Sequence, residues 1–363
     1  MENINKKIQS ISPYKPGKPV EELAREMGHS DVIKLASNEN PLGFSSKVSE
    51  LLFTGKAELN RYPDGSGHQL KKALAKKLGV KPDQLTLGNG SNDVLDLITR
   101  VVMEPGFEAI IPEHSFVVYK LSVTCANGET VVAPAASGFG ADLEAVRDRI
   151  SSKTRLIFIA NPNNPTGTWV GLGEIEKLLL AVPKSVWVVI DEAYFEYLDH
   201  PQYGSALCLM ERFENLIITR TFSKIYGLAS LRLGYSVTSS RFADLLNRAR
   251  QPFNVGGLTL AAGVAALSDD EFVIESRQTN EKGLRQLEKG LDELGLPWIP
   301  SGGNFLAVDC HRDGQELFRE LLKEGVIVRA ISEYGMPNYI RVSVGLPEEN
   351  VRFLNSLAKV LGV

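Results

Sequence analysis

The sequence predicts an α/β protein in which a mostly parallel sheet lies between layers of helices. Between about Leu85 and Val237, short apolar runs rich in β-branched residues alternate with helical patterns, as in crossover units of a parallel sheet. The runs LIFIA and VWVVI are apolar on both faces, which is typical of strands covered by helices on both sides. Polar residues follow these runs, and ligands of such sheets bind at the carboxyl ends of the strands.

The outer parts of the chain have a different pattern. The central runs interpreted as strands are AIIPEH, ETVVAP, RLIFIANP, VWVVIDEAY, NLIITRTF and LRLGYSV. A proline-rich arm precedes about Asn40, and a helix around Glu281 to Leu294 precedes the strand-like NFLAVDC, VIVRA and YIRVSVG. Since 363 residues exceed what one core usually holds, we predict a large domain of residues 40–254. Residues 1–39 and 255–363 would form the N-terminal arm and a smaller α+β domain.

Composition narrows the class of partner to small molecules. The chain is 43% hydrophobic and 23% charged, and its net charge of -4 gives no basic field for nucleic acid. Cys125, Cys208 and Cys310 are far apart and odd in number, which argues against a disulfide framework and favours the reducing cytoplasm. No signal peptide or apolar membrane segment is evident, and the histidines have no metal-ligand spacing. We therefore expect a cytoplasmic protein that binds no metal, membrane or nucleic acid.

The segment TFSKIYGLASLRLGY carries the sharpest chemical signal. Lys224 follows an apolar strand, and Arg232 comes eight residues later. A lysine in such a place is usually a solvated surface residue. Here the hydroxyl groups of Thr221 and Ser223, together with the Arg232 guanidinium, could hold a phosphate beside it. A lysine next to an anchored phosphate is what an aldehyde cofactor requires, with Lys224 as its Schiff-base partner.

Asp191 extends this interpretation to a particular cofactor. It ends the buried run VWVVID, where a carboxylate is costly unless a cation pairs with it. The protonated pyridine nitrogen of pyridoxal 5'-phosphate is such a cation, and keeping that proton makes the ring an electron sink. Tyr194 and Asn164 could bind the phenolic oxygen of the same cofactor. Taken alone, the NPNNPTG segment around Asn164 indicates only a turn.

Two further segments fit the same ligand. In LTLGNGSNDVLDL a glycine turn opens an amphipathic helix near Ser91 and Asn92, where free N–H groups and the positive helix end could bind the phosphate. Phe116 follows a predicted strand, and its ring could stack on the pyridine. The alternatives are a plain helix cap and a core phenylalanine.

Seven segments together resemble fold type I pyridoxal-phosphate-dependent aminotransferases, and within them the histidinol-phosphate aminotransferases. They span nearly the whole chain and are SNENPLG, RYPDGSG, GNGSNDVL, NPNNPTGT, VVIDEAY, TFSKIYGLASLRLGY and YIRVSVG. The resemblance implies a ping-pong exchange of the amino group between L-histidinol phosphate and 2-oxoglutarate in histidine biosynthesis. Imidazole acetol phosphate and glutamate would be the products, and Lys224, Asp191 and Tyr194 the catalytic residues.

The resemblance also implies a homodimer with shared active sites. Tyr62 of RYPD would reach the cofactor phosphate of the neighbouring subunit, and Tyr14 would help to close over the substrate. Arg341 and Arg329 would receive the anionic end of the substrate, with Asn164 nearby.

The sequence departs from the family pattern at one place, and several other functions remain as alternatives. The family's helix-opening turn often carries an acidic pair where this chain has Asn92 and Asp93, a change that leaves the expected fold untouched. An aromatic amino acid aminotransferase would share these motifs. A threonine-phosphate decarboxylase of cobalamin synthesis shares the fold and a phosphorylated substrate. We do not expect a ligand-sensing regulator, since the segment before LASNENP is too short and too uncharged for a DNA-binding domain. A catalytically inactive homologue is disfavoured because the active-site motifs occur together.

Overall fold

A seven-stranded sheet forms the centre of the structure, a computed structural model that describes residues 6–9, 11, 20–27, 31–53 and 60–362. The strands of this sheet and of two smaller ones are, in chain order, β1 (Ile33–Lys34), β2 (Leu85–Asn89), β3 (Glu108–Pro112), β4 (Glu129–Ala133), β5 (Thr154–Ala160), β6 (Trp187–Asp191), β7 (Leu216–Thr221), β8 (Leu233–Val237), β9 (Trp298–Ile299), β10 (Phe305–Asp309), β11 (Val326–Ile327), β12 (Arg329–Ala330) and β13 (Tyr339–Ser343). Each of the six central runs predicted to be a strand contains one.

The helices cover both faces of this sheet and flank a second one. They are α1 (Lys6–Gln9), α2 (Val20–Met27), α3 (Ser46–Phe53), α4 (His68–Leu78), α5 (Ser91–Val102), α6 (Val117–Cys125), α7 (Leu143–Asp148), α8 (Leu172–Ala181), α9 (Ser240–Ala249), α10 (Gly257–Leu267), α11 (Asp270–Glu293), α12 (Gly314–Lys323) and α13 (Pro347–Leu361). None of these described helices is long and apolar enough to cross a membrane.

The order of the large sheet is β2-β8-β7-β6-β5-β3-β4, and β8 alone runs antiparallel to its neighbours. The predicted α/β class with a mostly parallel sheet is therefore confirmed. The strand order reverses between β3 and β5, because β4 lies on the outer side of β3 while β5, β6 and β7 follow on the other. Such a switch point opens a crevice at the carboxyl ends of the strands.

Alternate residues of the central strands enter two different cores. On β5, Ile157 and Ile159 pack into one core with α4, α8 and α10, while Leu156 and Phe158 pack into another with α5, α6 and α9. This follows from the two-residue period of a strand, whose successive side chains point to opposite faces. The continuous apolar runs in the sequence are thus explained by a sheet buried on both sides.

A second, antiparallel sheet has four strands in the order β12-β13-β10-β9. Its strands β10 and β13 share a core with α11, α12 and α13. Helix α11 begins at Asp270, well before the helix predicted around Glu281, and the Asp269 side chain caps it by accepting from the Phe272 N–H.

Two short strands, one from the N-terminal part and one from the C-terminal part of the described chain, pair in a parallel ladder. Strand β1 pairs with β11, with Ile33 opposite Val326. The predicted strand VIVRA is in fact two strands, because β11 joins β1 whereas β12 turns to pair with β13. The domain boundary at residue 254 stays a prediction, and α10, which follows it, contributes Ala262 and Ala266 to the core of the large sheet.

The large-sheet core gives a direct test of the packing. Leu216, at the start of β7, is fully buried, whereas Leu180 at the end of α8 is 65% exposed. We expect Leu216→Ala to lower the free energy of unfolding by about 2–5 kcal/mol, since it removes apolar contacts and leaves a cavity. Leu180→Ala, the matched control, should change it by no more than about 0.5 kcal/mol. Urea unfolding followed by circular dichroism measures both, and equal effects would contradict the arrangement of this core.

Candidate active site

A cavity of about 200 Å³ opens at the carboxyl ends of the central strands. Its wall contains residues that are far apart in sequence, because consecutive crossover units deliver their strand ends to one edge of the sheet. The predicted site residues that line it are Ser91, Asn92, Phe116, Asn164, Asp191, Tyr194, Thr221, Ser223, Lys224, Arg232, Arg329 and Arg341.

One of the predicted residues that the structure describes, Tyr62, does not line this cavity. Tyr62 is 83% exposed, and its ring stacks on Phe253 with a centroid distance of 4.8 Å. Its role in a neighbouring subunit stays a prediction. Tyr14 lies outside the described residues. Among those residues, no cluster of three side chains could hold a metal ion.

Lys224 follows β7, and its amine faces the cavity. The Nζ atom donates to the backbone oxygen of Ser37 at 3.0 Å and lies 5.6 Å from the centroid of the Tyr194 ring. Burial lowers the pKa of Lys224 to about 7, and the positive charge of Arg341 acts in the same direction. A large fraction of this amine is therefore neutral near pH 7, which is the form that attacks a carbonyl or accepts a proton.

Asp191 lies at the end of β6, with its carboxylate buried. It accepts hydrogen bonds from Tyr119 Oη at 2.7 Å and from Thr219 Oγ1 at 2.9 Å. Burial raises the pKa of Asp191, and the two hydrogen bonds oppose that rise. In the described part of the chain no cation lies within ion-pair distance of this carboxylate. It therefore fits a ligand that brings a positively charged N–H group.

Another part of the wall, around Arg232, forms a cradle for an anion. Arg232 donates through Nη1 to Ser223 Oγ at 3.3 Å and to the Ala229 oxygen at 3.0 Å. No carboxylate among the described residues pairs with its guanidinium. Ser91 and Asn92 begin α5 beside it, and the first N–H groups of a helix favour negative charge.

Two glycines make this cradle possible. A Cβ atom at Gly90 would lie 2.2 Å from Arg232 Nη2, and one at Gly234 would lie 2.2 Å from the backbone nitrogen of Ser91. Neither clash could be relieved without moving the guanidinium or the start of α5. The unpaired cation, the helix end and the space kept by glycine together fit a phosphate group.

Thr221 and Phe116 line the cavity in supporting positions. The Thr221 hydroxyl accepts from the Ser223 N–H at 3.1 Å and so shapes the turn that leads to Lys224. Phe116 stands at the start of α6 and meets Tyr119 edge-on, with a centroid distance of 5.8 Å.

Two arginines face the cavity from the four-stranded sheet. Arg329 on β12 and Arg341 on β13 are directly opposite each other in the antiparallel register. Arg341 donates to Asn164 Oδ1 at 2.5 Å and to the Ala36 oxygen at 2.7 Å. Its Nε is buried and has no hydrogen-bond partner within the described residues. Arg329 pairs with Glu333. Two neighbouring guanidinium groups beside one carboxylate leave net positive charge for an anionic substrate.

Several residues of the wall were missed by the sequence interpretation. Tyr119 lies three residues after Phe116, a helical spacing that puts both on one face, and this spacing could have identified it. Asn38 belongs to the SNENPLG motif but had no assigned role. The carbonyl groups of Ala36 and Ser37 also contact site residues, and backbone groups leave no signature in the residue types.

Known proteins resemble this chain over nearly its whole length. Histidinol-phosphate aminotransferase 2 of Pseudomonas aeruginosa is 53% identical over 356 residues, covering 98% of this chain and 96% of that protein. The protein of the same name from Pseudomonas fluorescens is 52% identical, with 98% and 96% coverage. The crystal structure of histidinol-phosphate aminotransferase from Sinorhizobium meliloti in complex with pyridoxal-5'-phosphate superposes with a TM-score of 0.91 at 27% identity, covering 100% of this chain and 98% of that one.

The predicted fold type I architecture is confirmed by this superposition. A family model described as aminotransferase class I and II matches residues 30–356. Because that match extends over most of the sequence and the relatives align along nearly its whole length, the chain belongs to the aminotransferase class I and II family.

Proposed function

We propose that this aminotransferase exchanges the amino group between L-histidinol phosphate and 2-oxoglutarate, with pyridoxal 5'-phosphate as its cofactor. The proposal rests on one observation: Lys224, Arg329 and Arg341 line the same cavity, and the two arginines lie opposite each other on neighbouring strands. The relatives that are about half identical to this chain carry the name of the same reaction. We further expect the enzyme to act in the cytoplasm, in histidine biosynthesis.

The chain offers a complementary group for each part of the cofactor. Ser91, Asn92, Ser223 and Arg232 would hold its phosphate, with Thr221 shaping the turn. Asp191 would receive the ring N–H, Tyr194 and Asn164 would face the phenolic oxygen, and Phe116 would cover the ring. When bound, pyridoxal phosphate supplies an aldehyde that condenses with amines and a protonated ring that takes up an electron pair.

Lys224 would serve both as the attachment point and as the base. Its pKa of about 7 leaves much of the amine neutral at Nζ, the form that would condense with the cofactor's aldehyde, whose oxygen would leave as water. The same Nζ would also be placed to accept the proton from the substrate carbon that bears nitrogen. Its hydrogen bond to the Ser37 oxygen holds the amine at the cavity wall.

Asp191 would keep the ring nitrogen protonated. A buried carboxylate with a raised pKa gains most from a cation placed against it, since the pair removes an isolated charge from the interior. Tyr119 and Thr219 fix its two oxygens, so the carboxylate cannot turn away from the cavity.

The arginine pair would select the substrate by charge. A phosphate monoester carries up to two negative charges and three acceptor oxygens, which suits two guanidinium groups better than a single carboxylate does. Glu333 already pairs with Arg329, so the net charge facing the substrate is smaller than two. This arrangement is consistent with a site that must also accept glutamate.

We also propose that the enzyme is a homodimer in which Tyr62 contacts the cofactor phosphate of the neighbouring subunit. The support is the exposure of this tyrosine together with its ring contact to Phe253, itself 44% exposed. Aromatic residues such as tyrosine and phenylalanine are enriched on surfaces that another chain covers.

The substrate assignment is tested by comparing kcat/KM for L-histidinol phosphate and L-phenylalanine, each with 2-oxoglutarate. We expect a strong preference for histidinol phosphate. Arg329→Gln should lower kcat/KM for histidinol phosphate about 10- to 100-fold, because a charge-assisted hydrogen bond to phosphate is lost. Arg285→Gln, at an arginine whose side chain is 77% exposed, is the matched control and should have no effect.

Equal turnover of the two amino donors would instead favour an aromatic amino acid aminotransferase. Release of carbon dioxide from threonine phosphate, with neither transamination, would favour the decarboxylase.

Lys224→Ala should abolish transamination while the far-ultraviolet circular dichroism stays that of the wild type. The change removes Nζ, the atom proposed to form the covalent bond to the cofactor and to move the proton. Lys289→Ala, at a lysine whose side chain is 80% exposed, is the control and should keep full activity. Transamination by the Lys224→Ala enzyme at wild-type rates would refute the assignment of the base.

The depressed pKa of Lys224 predicts how cofactor uptake depends on pH. The neutral amine is the reactive form, so the rate at which apoenzyme takes up pyridoxal phosphate should rise with pH and level off above about 7, rather than near the usual 10.5. Stopped-flow absorbance measures this rate. Because the charge of Arg341 helps to lower this pKa, Arg341→Leu should move the midpoint to higher pH. A midpoint above pH 9 in the wild type would contradict the assigned environment.

A further inference from the structure

Asn38 joins the substrate-facing strand β13 to the cofactor-facing Tyr194. It is buried at the cavity wall and lies in the SNENPLG segment. Its φ of 54° is in the left-handed region, which asparagine tolerates better than most residues. Its backbone oxygen accepts from Asn304 Nδ2 at 3.1 Å, so the main chain is held here as well as the side chain.

The hydroxyl of Ser343 determines which way the Asn38 amide points. Ser343 Oγ accepts from the Asn38 backbone N–H at 2.8 Å, and it donates its own proton to Asn38 Oδ1 at 3.0 Å. A hydroxyl has one proton to donate, and an asparagine amide has one oxygen and one NH₂ group. With the oxygen turned to Ser343, the NH₂ group is turned to the opposite side.

That NH₂ group meets Tyr194. Asn38 Nδ2 donates to Tyr194 Oη at 2.9 Å. Because the phenolic oxygen accepts this bond, the single proton of Tyr194 cannot point to Asn38. The Tyr194 side chain lines the cavity beside Lys224. Asn38, which carries no charge itself, therefore limits the directions in which this proton can point.

We propose that Asn38 is a positioning residue that directs the hydroxyl proton of Tyr194 to the phenolic oxygen of the bound cofactor. This rests on the proposed function, where Tyr194 is given its contact with that oxygen. A hydrogen bond donated to an anionic oxygen stabilises the deprotonated form. Asn38 thus lowers the pH at which the lysine-linked cofactor loses its proton, a change visible in its absorption spectrum.

The test is a spectrophotometric pH titration of the cofactor-loaded enzyme. Asn38→Gly is the sharpest variant, because glycine adopts a φ of 54° without strain while the amide is lost. We expect it to raise the midpoint of the titration by about one pH unit, and Tyr194→Phe to raise it by at least as much. In the Tyr194→Phe background, Asn38→Gly should cause no further change, since the two residues act as one unit.

A second variant and a control separate this effect from a loss of stability. Ser343→Ala removes the hydroxyl that orients the amide and should raise the midpoint in the same direction by a smaller amount. Asn350→Ala removes another buried asparagine, one that bonds to Gln286 and to the Gly345 oxygen. It should lower the melting temperature and leave the midpoint where it is.

Three outcomes would overturn the inference. A midpoint unchanged in both Asn38→Gly and Ser343→Ala, with Tyr194→Phe still shifted, would mean that Asn38 does not direct the tyrosine. A full shift by Asn38→Gly in the Tyr194→Phe background would mean that Asn38 acts by another route. No shift in Tyr194→Phe itself would show that the contact proposed for Tyr194 is wrong, and the inference on Asn38 would fall with it.

Discussion

Buried charge that the described residues do not neutralise is the constraint on which the site depends. Asp191 is held by Tyr119 and Thr219, and no cation among the described residues pairs with it. Isolated charges in the interior are expensive, so such an arrangement persists only where the surrounding structure is stable enough to hold it. Here the two cores of the large sheet supply that support. The lowered pKa of Lys224 is the same effect on a cation, because burial disfavours the charged form of its amine.

Glu192, the residue after Asp191, is by contrast a buried carboxylate whose partners all come from the protein. Glu192 accepts from Arg220 through Nε at 2.9 Å and through Nη2 at 2.7 Å. The Ser205 hydroxyl and the Ala206 N–H donate to it as well. This carboxylate is fully satisfied within the chain and ties the end of β6 to β7. Two adjacent acidic residues therefore have different surroundings: within the described residues a cation pairs with Glu192 but not with Asp191.

The features that the sequence predicted are those that depend on the periodicity of apolar residues and on the chemistry of side chains. The two-sided apolar runs located the central strands, and the order of polar residues after them located Lys224, Asp191 and Arg232 at one edge. The division of VIVRA between two sheets was not predictable, because an apolar run does not state which neighbour each residue will pair with. The contacts of Asn38 were hidden for a related reason, since they come from residues 156 and 305 positions further along the chain.

The pairing of β1 with β11 has a consequence for how closely the chain ends are linked to the site. Directly after this ladder, the Ala36 oxygen meets Arg341, the Ser37 oxygen meets Lys224, and Asn38 meets Tyr194. The three consecutive residues from Ala36 to Asn38 thus each contact a different side chain of the cavity. A one-residue slip of the ladder would exchange every one of these contacts for the neighbouring residue's atoms. We therefore expect the geometry of the cavity to be sensitive to the length of the chain between residues 34 and 38.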